Sequence, residues 1–518
     1  MLETVLYRNW RTITGPRGVW LLLPGFVMLC MTLRYVLFPG GSQDDAEMLV
    51  LSQSFEAVYK PGQPPLLNWI LTALSGLAGP SLFLLFAVKG ALMLATYWGL
   101  YGAARHILAD RRHAVLAAMS PVAVYLFSWD AVFNYSHTLM VAALVAVTLH
   151  AALALRADGG RGAYLGLGLT LGVGFLAKYT FIFFVAGLIV AGLTDRRLRA
   201  RLLHRRVVLV AVPALAMALP HGIWVLIHHE RMAQAFNNSF GVPMSVGWFE
   251  AVGRGLLDLG DSLIDFSLPL LAILLVLFPR AWLPTRRGIS GATEPARAVE
   301  GARFLAVIMA TMLVLFAAGV PLARITEFRN HYFFVFLFFP LWTFARIEVV
   351  GASEIRLQWF AGMLTVFAGA IVLALFGRFL IGPMSCKRCY YHIPYGTLAA
   401  QIRTAGFRQG TIVVKHHFIQ IAGNLRPYFP ESRVISTKFP DHVPPRRPGS
   451  NGQCLLLWNA WLTAGEIASL KRYVGRRLGA TVPADLVIRH ADAPLAMNPS
   501  RHVRFAYLLL PRGSGDCR

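Results

Sequence analysis

Three acids, Asp44, Asp45 and Glu47, fall together in the stretch "GGSQDDAEML" (residues 40–49). A positioned carboxylate can take the proton of a poor nucleophile such as a hydroxyl, as a general base does. Polar and cationic side chains are scattered after it: Lys60 and Gln63 in "KPGQPPLL", Lys178 in "GFLAKYTFIFF", and Arg324 and Arg329 in "ARITEFRN". Cations of this kind suit a phosphate, and the planar guanidinium is best suited to bidentate contact with one. Acids for proton transfer and cations for an anionic group therefore point to a transfer reaction, provided the chain can bring them together.

The elements that must position them lie in a membrane. The 518 residues are 56% hydrophobic and 14% charged, with mean hydropathy +0.56, which excludes an ordinary soluble domain. Apolar runs of roughly 16 to 22 residues recur from Val19 to Phe376, long enough to cross a bilayer core. No small-residue cleavage site follows the first run, Val19 to Phe38, so it reads as a retained helix rather than a signal peptide. The net charge of +24 calls for no nucleic acid, because Lys and Arg accumulate in the cytoplasmic loops of polytopic proteins. Five cysteines are too few for a disulfide scaffold.

Basic clusters give a topology. They lie at Arg8–Arg17, Arg105–Arg112, Arg156–Arg161, residues 195–206, Arg280–Arg303 and Arg346–Arg356. Placing all of them in the cytoplasm requires an even number of crossings between neighbours, and about 11 spans satisfy this. Residues 162–194 read as two short crossings interrupted at Lys178, and 65–79 as a helix lying at the membrane surface. The opposite, periplasmic face then collects the acids and cations named above, together with Asp130, His137, Glu327 and His331. Polar groups near a bilayer are costly and usually functional.

Hydrophobicity drops after Gly382, dividing the chain into a transmembrane domain, 1–382, and a small C-terminal domain, 383–518. In the latter, 410–416, 432–437, 453–459 and 502–511 read as strands and 418–429 and 463–479 as helices, the last capped by Thr463 and Gly479. That order predicts an α/β domain with a partly parallel sheet. "CKRCYYH" (386–392) could be a zinc half-site with His392 as a third ligand, but no second CxxC follows, and an oxidising compartment favours disulfides or free thiols. "IHHE" (227–230) is an incomplete metal-ligand set.

The stretch "DDAEMLVLSQSFEAVYKPGQPPLLNWI" (44–70) resembles the first extracytoplasmic loop of membrane glycosyltransferases of the GT-C fold. The branch is that of the protein O-mannosyltransferases, the lipid A aminoarabinose transferase and the rhizobial lipopolysaccharide sugar transferases. Asp44, Asp45, Ala46, Glu47, Gln53 and Pro64-Pro65-Leu66 carry the resemblance, and "GFLAKYTFIFF" resembles that family's mid-chain Lys-Tyr-Thr segment. Several relatives have Lys or His directly before Pro-Pro; here Gln63 stands there, with Lys60 upstream.

The resemblance implies a polytopic α-helical membrane protein with a small periplasmic α/β domain. It would move a sugar, hexose or pentose, from a polyprenyl-phosphate donor to a glycolipid, glycan or protein acceptor on the periplasmic face of the bacterial inner membrane. Asp44 is expected to act as base, with Asp45 as its catalytic partner or as an orienting group. Glu47, Lys60, Gln63, Lys178, Arg324 and Arg329 are expected to bind substrate. A single activating carboxylate makes the displacement inverting. No cofactor is expected, and a divalent metal stays open. Membrane lipids are the other partners. Blander roles exist: the acid pair as a solvated helix N-terminus, Lys178 as an interfacial anchor, and "RNHYFFVFLFFPLW" (329–342) as an aromatic belt. The alternative class is a transporter or flippase, which predicts internal repeats and mid-membrane acids; neither is evident. A scaffold with a periplasmic sensor domain would leave the acid pair unexplained.

Overall fold

The computed structural model describes residues 2–15, 18–242, 246–284, 293–387, 389–415, 419–446 and 452–517. Of the segments read above, residues 16–17, 285–292, Arg388, His416 and Phe418 lie outside the described residues. The chain forms two compact units. One comprises Met1–Leu29, Pro61–Leu66 and Lys89–Ile371, and the other Cys30–Lys60, Leu67–Val88 and Val372–Arg518.

The first unit is built from helices, and the chain is that of a multi-pass membrane protein. Among the described residues, six helices are long and apolar enough to cross a bilayer: Gly18–Leu37, Leu82–Ile107, Ser136–Ala157, Arg205–Ile227, Ala296–Ala323 and Glu354–Ser385. A bent pair, Asn330–Phe336 and Phe339–Val350, makes a seventh if counted as one span. In Arg205–Ile227 only 11% of the apolar window is buried by protein. Val208, Val212, Leu215 and Leu219 are exposed along one helical stripe, an arrangement suited to lipid as solvent and not to water.

The count differs from the expectation of about 11 continuous crossings, and proline chemistry explains much of the difference. The run expected at 113–129 is a short helix, Arg111–Met119, followed by a 3-10 turn over Ser120–Ala123 that contains Pro121. The run at 260–279 is divided at Pro269 between Trp248–Ser267 and Leu270–Leu277. Proline has no N–H to donate and its ring obstructs the preceding turn. Residues 162–194 do break at Lys178, into Arg161–Phe175 and Phe181–Thr194.

The second unit holds a five-stranded sheet: β1 (Gly410–Val414), β2 (Arg433–Ser436), β3 (Gln453–Asn459), β4 (Arg489–Leu495) and β5 (Asn498–Leu509), in the order β2-β1-β3-β5-β4. β1 runs parallel to β2 and β3, whereas β5 is antiparallel to β3 and β4, so the sheet is partly parallel. The helix Ala464–Leu478 starts in a capping box between Thr463 and Glu466 and ends at Gly479, whose φ of 58° suits glycine. Two elements escaped the sequence reading: the helix Tyr395–Thr404 and β4. Pro494 and Asp492 disguise β4, and both are tolerated because it is an edge strand. Two disulfides, Cys386–Cys389 and Cys454–Cys517, lie in this unit. The first takes up both cysteines of the zinc half-site considered above.

Candidate active site

The acid cluster belongs to the second unit, on the helix Gln43–Leu51. Ser42 is its N-cap: its hydroxyl accepts the Asp45 N–H at 3.0 Å, and Asp45 Oδ2 accepts the Ser42 N–H at 2.8 Å. This reciprocal pair fixes the first turn. Asp45 Oδ2 is also 3.3 Å from Arg34 Nη2, and both side chains are fully buried. The same guanidinium nitrogen donates to the Gly40 carbonyl at 2.9 Å, and the group packs 4.7 Å from the Phe86 ring centroid and 5.2 Å from that of Tyr391. Asp45 is thus committed to holding the loop.

Glu47, 5% exposed, lies between two ammonium groups. Lys60 donates to Oε1, and Lys438 Nζ lies 3.2 Å from Oε2. Both lysines also approach the Phe439 ring, at 5.7 and 5.3 Å. Burial alone would raise the Glu47 carboxyl, but Lys60 and Lys438 outweigh it and hold it below the ordinary carboxylate range. Asp44, by contrast, is only partly buried. Of the three acids it alone is not buried.

The loop is tied to the sheet within the same unit. Gln53 Nε2 donates to the Val434 carbonyl at 2.7 Å, and Gln53 Oε1 accepts the Val434 N–H at 2.8 Å, so the side-chain amide serves as a partner for edge strand β2. Asn424 accepts the Gly41 N–H at 2.6 Å, and Arg426 donates to the Leu49 carbonyl and to Ser52. Helix Ile419–Leu425 approaches the acid helix so closely that a Cβ on Gly423 would stand 2.3 Å from Ala46 Cα.

Gln63, Lys178, Arg324 and Arg329 belong to the first unit. Lys178, in the break between two helices, donates to Thr138 Oγ1 at 2.7 Å and lies 5.4 Å from the Tyr332 ring centroid. Lys178, Tyr179, Met232, Phe236, Tyr332 and Gly62 line a cavity of about 360 Å³. Gly62 there has φ of 88°, a conformation that favours glycine. Gln63 is partly buried, and among the described residues its Oε1 has no hydrogen-bond partner. Arg324 follows directly on the helix Thr293–Ala323 with φ of 53°, at roughly 1–2 kcal/mol for a residue with a Cβ. Its Nη2 donates to the Val246 carbonyl. Arg329 is exposed.

Two side chains of these clusters were not among the residues singled out from sequence. Lys438 has no signal in its surroundings, since it joins Glu47 only through folding. Arg34 did leave a signal: it is the only charged residue within the apolar run 19–38, and such residues are seldom idle. Among the described residues no three His, Cys, Asp or Glu side chains gather as a metal site would require.

The second unit thus presents a capped acid helix held against an α/β sheet, and the first presents Lys178 and Arg324 at breaks between helices. Residues 62–224 match the family model of dolichyl-phosphate-mannose-protein mannosyltransferases, and that segment is a domain of this family. Over most of its length the chain is similar to the lipopolysaccharide core galacturonosyltransferases RgtB and RgtA of Rhizobium johnstonii. With RgtB it is 26% identical over 450 residues, 85% of this chain and 86% of that protein. With RgtA it is 26% identical over 472 residues, 89% of each. Its fold is that of ArnT from Cupriavidus metallidurans. The TM-score is 0.51 at 16% identity for the crystal structure bound to undecaprenyl phosphate and 0.58 at 15% for the apo structure, each covering 95% of this chain and 98% of ArnT. The resemblance read from the first loop is borne out.

Proposed function

We propose that the chain is an inverting glycosyltransferase that moves a hexose or pentose from a polyprenyl-phosphate donor to an envelope acceptor at the periplasmic face of the inner membrane. The acceptor is lipid A, a lipopolysaccharide glycan or a protein. The observation that carries the mechanism is the division of labour on the helix Gln43–Leu51. Asp45 is buried against Arg34 and Glu47 between two lysines, while Asp44 is partly open to solvent.

In this reading Asp44 takes the proton of the acceptor hydroxyl as its oxygen attacks the anomeric carbon. The bond from that carbon to the phosphate oxygen breaks, and polyprenyl phosphate leaves with the bonding electrons. Negative charge grows on the leaving oxygen, a charge that cations stabilise; Lys60, Lys178, Arg324 and Arg329 are proposed for binding the donor and Gln63 for binding the sugar. No covalent sugar–enzyme intermediate forms, so the anomeric configuration inverts. The ArnT complex with undecaprenyl phosphate and the galacturonosyltransferase relatives support a lipid-linked donor and a glycolipid acceptor.

The test is transfer by the purified chain in lipid from synthetic polyprenyl-phosphate sugars to lipopolysaccharide, with the product linkage read by NMR. An inverted linkage is expected. A retained configuration, or no transfer from any lipid-linked donor, contradicts the reading.

A further inference from the structure

Beyond the acid helix, the second unit carries a cavity that no step above uses. β3 ends at Asn459, whereas β5 runs from Asn498 and pairs with β3 only over Phe505–Leu509. The β4–β5 hairpin therefore overhangs the sheet by several residues. In the step so formed lies a cavity of about 670 Å³, within the range of about 300–1,000 Å³ common to small-ligand sites.

Its lining has one sign of charge. Lys387, Arg501, His502 and Arg504 line it with Tyr390 and Trp461, and among the described residues no acid lines it. Arg504 is balanced across the hairpin by Asp492 at 2.9 Å, which among the described residues leaves Lys387 and Arg501 as its permanent positive surplus. Arg501 is oriented by donating to the Pro383 carbonyl at 3.3 Å. Lys387 sits inside the short loop closed by the Cys386–Cys389 disulfide. Trp461, on the turn after β3, is 65% exposed beside the cations.

We propose that this cavity binds an acidic saccharide, bearing carboxylate or phosphate, and that it holds the acceptor of the reaction proposed above. A sugar ring offers a flat C–H face to an aromatic ring and hydroxyls to polar neighbours, and its acid group pairs with guanidinium or ammonium. The combination of an exposed Trp, a half-buried Tyr and unbalanced cations matches that chemistry better than a peptide or a neutral lipid. The assignment of the saccharide as acceptor rests on the glycosyltransferase reading; the binding itself does not.

The experiment is calorimetric titration of the full-length protein in detergent, without donor, using three probes: oligogalacturonate, an uncharged malto-oligosaccharide and inorganic phosphate. Oligogalacturonate is expected to bind at least about tenfold more tightly than either of the others. Trp461→Ala, Arg501→Gln and Lys387→Gln should each weaken it by about tenfold, the range of one charged or aromatic contact. In the transfer assay the same variants should raise KM for the acceptor and leave KM for the donor unchanged. Equal binding of the uncharged chain, displacement by phosphate at equal concentration, or indifference to all three substitutions overturns the proposal. Binding lost in the variants with acceptor KM unmoved overturns the acceptor assignment. If the variants lose binding but the parent transfers no sugar from any donor, the reaction fails and the saccharide site stands.

Discussion

Lys438 Nζ lies 3.2 Å from Glu47 Oε2, across 391 residues of chain. The contact joins a lysine in the turn after β2 to the acid helix, with Lys60 on the other carboxylate oxygen. Glu47→Gln leaves two buried-edge ammonium groups facing an amide and should destabilise the second unit by about 1–3 kcal/mol. The pH dependence has a definite sign. The folded-state carboxyl is held low, so its contribution is fully present above the unfolded value near about 4.3 and is lost as pH falls through the folded value. Thermal melts of the wild type should therefore drop in acid, and Glu47→Gln should flatten that part of the profile. Parallel profiles would contradict this.

His392 gives a second acid-sensitive window. Burial pushes its imidazole down from 6.5 to about 4, and Arg378 and Arg34 push the same way. Below about 6.5 the unfolded chain takes up a proton that the folded chain refuses, so stability falls between about 6.5 and 4. His392→Gln should make that slope shallower. Melting temperatures across this range check it.

For the donor, Arg324→Ala and Arg329→Ala should each raise donor KM by roughly tenfold to a hundredfold, the span of a charged hydrogen bond. Arg324→Ala should also lower the melting temperature, because its side chain holds the Val246 carbonyl, whereas the exposed Arg329 should not. Unchanged donor dependence in both variants shifts the role to Lys60 and Lys178.

Topology is testable without activity. Reporter fusions at about residue 200 and at the C-terminus should report opposite sides of the membrane, because the arginine-rich 195–206 segment is expected in the cytoplasm. The same side for both contradicts the charge reading.

Much of this molecule is legible in its residue order, and the remainder is hidden for physical reasons. The strand 453–459 and the helix bounded by Thr463 and Gly479 follow from local pattern and caps, which act within a few residues. The break at Lys178 shows because one charge interrupts an apolar run. The runs 113–129 and 260–279 are not single continuous helices, because hydropathy records apolar length and not the turns that Pro121 and Pro269 impose. β4 was missed because an edge strand can carry Pro494 and Asp492. At the site, the acids are visible as a cluster, but the separation of Asp45 and Glu47 into anchored groups is not. It depends on Arg34 and Lys438, partners that only the fold supplies.

The most direct measurement is the transfer rate of Asp44→Asn beside that of Asp45→Asn, each with a melting curve. Asp44→Asn is nearly isosteric and should melt like the wild type while losing about 10² to 10⁴ in rate, as removal of a general base does. Asp45→Asn should lose stability, since its carboxylate holds both the Ser42 N–H and the buried Arg34. Asp44→Asn transferring sugar at near wild-type rate would contradict the assignment of the base, and full activity in both variants would contradict the glycosyltransferase mechanism itself.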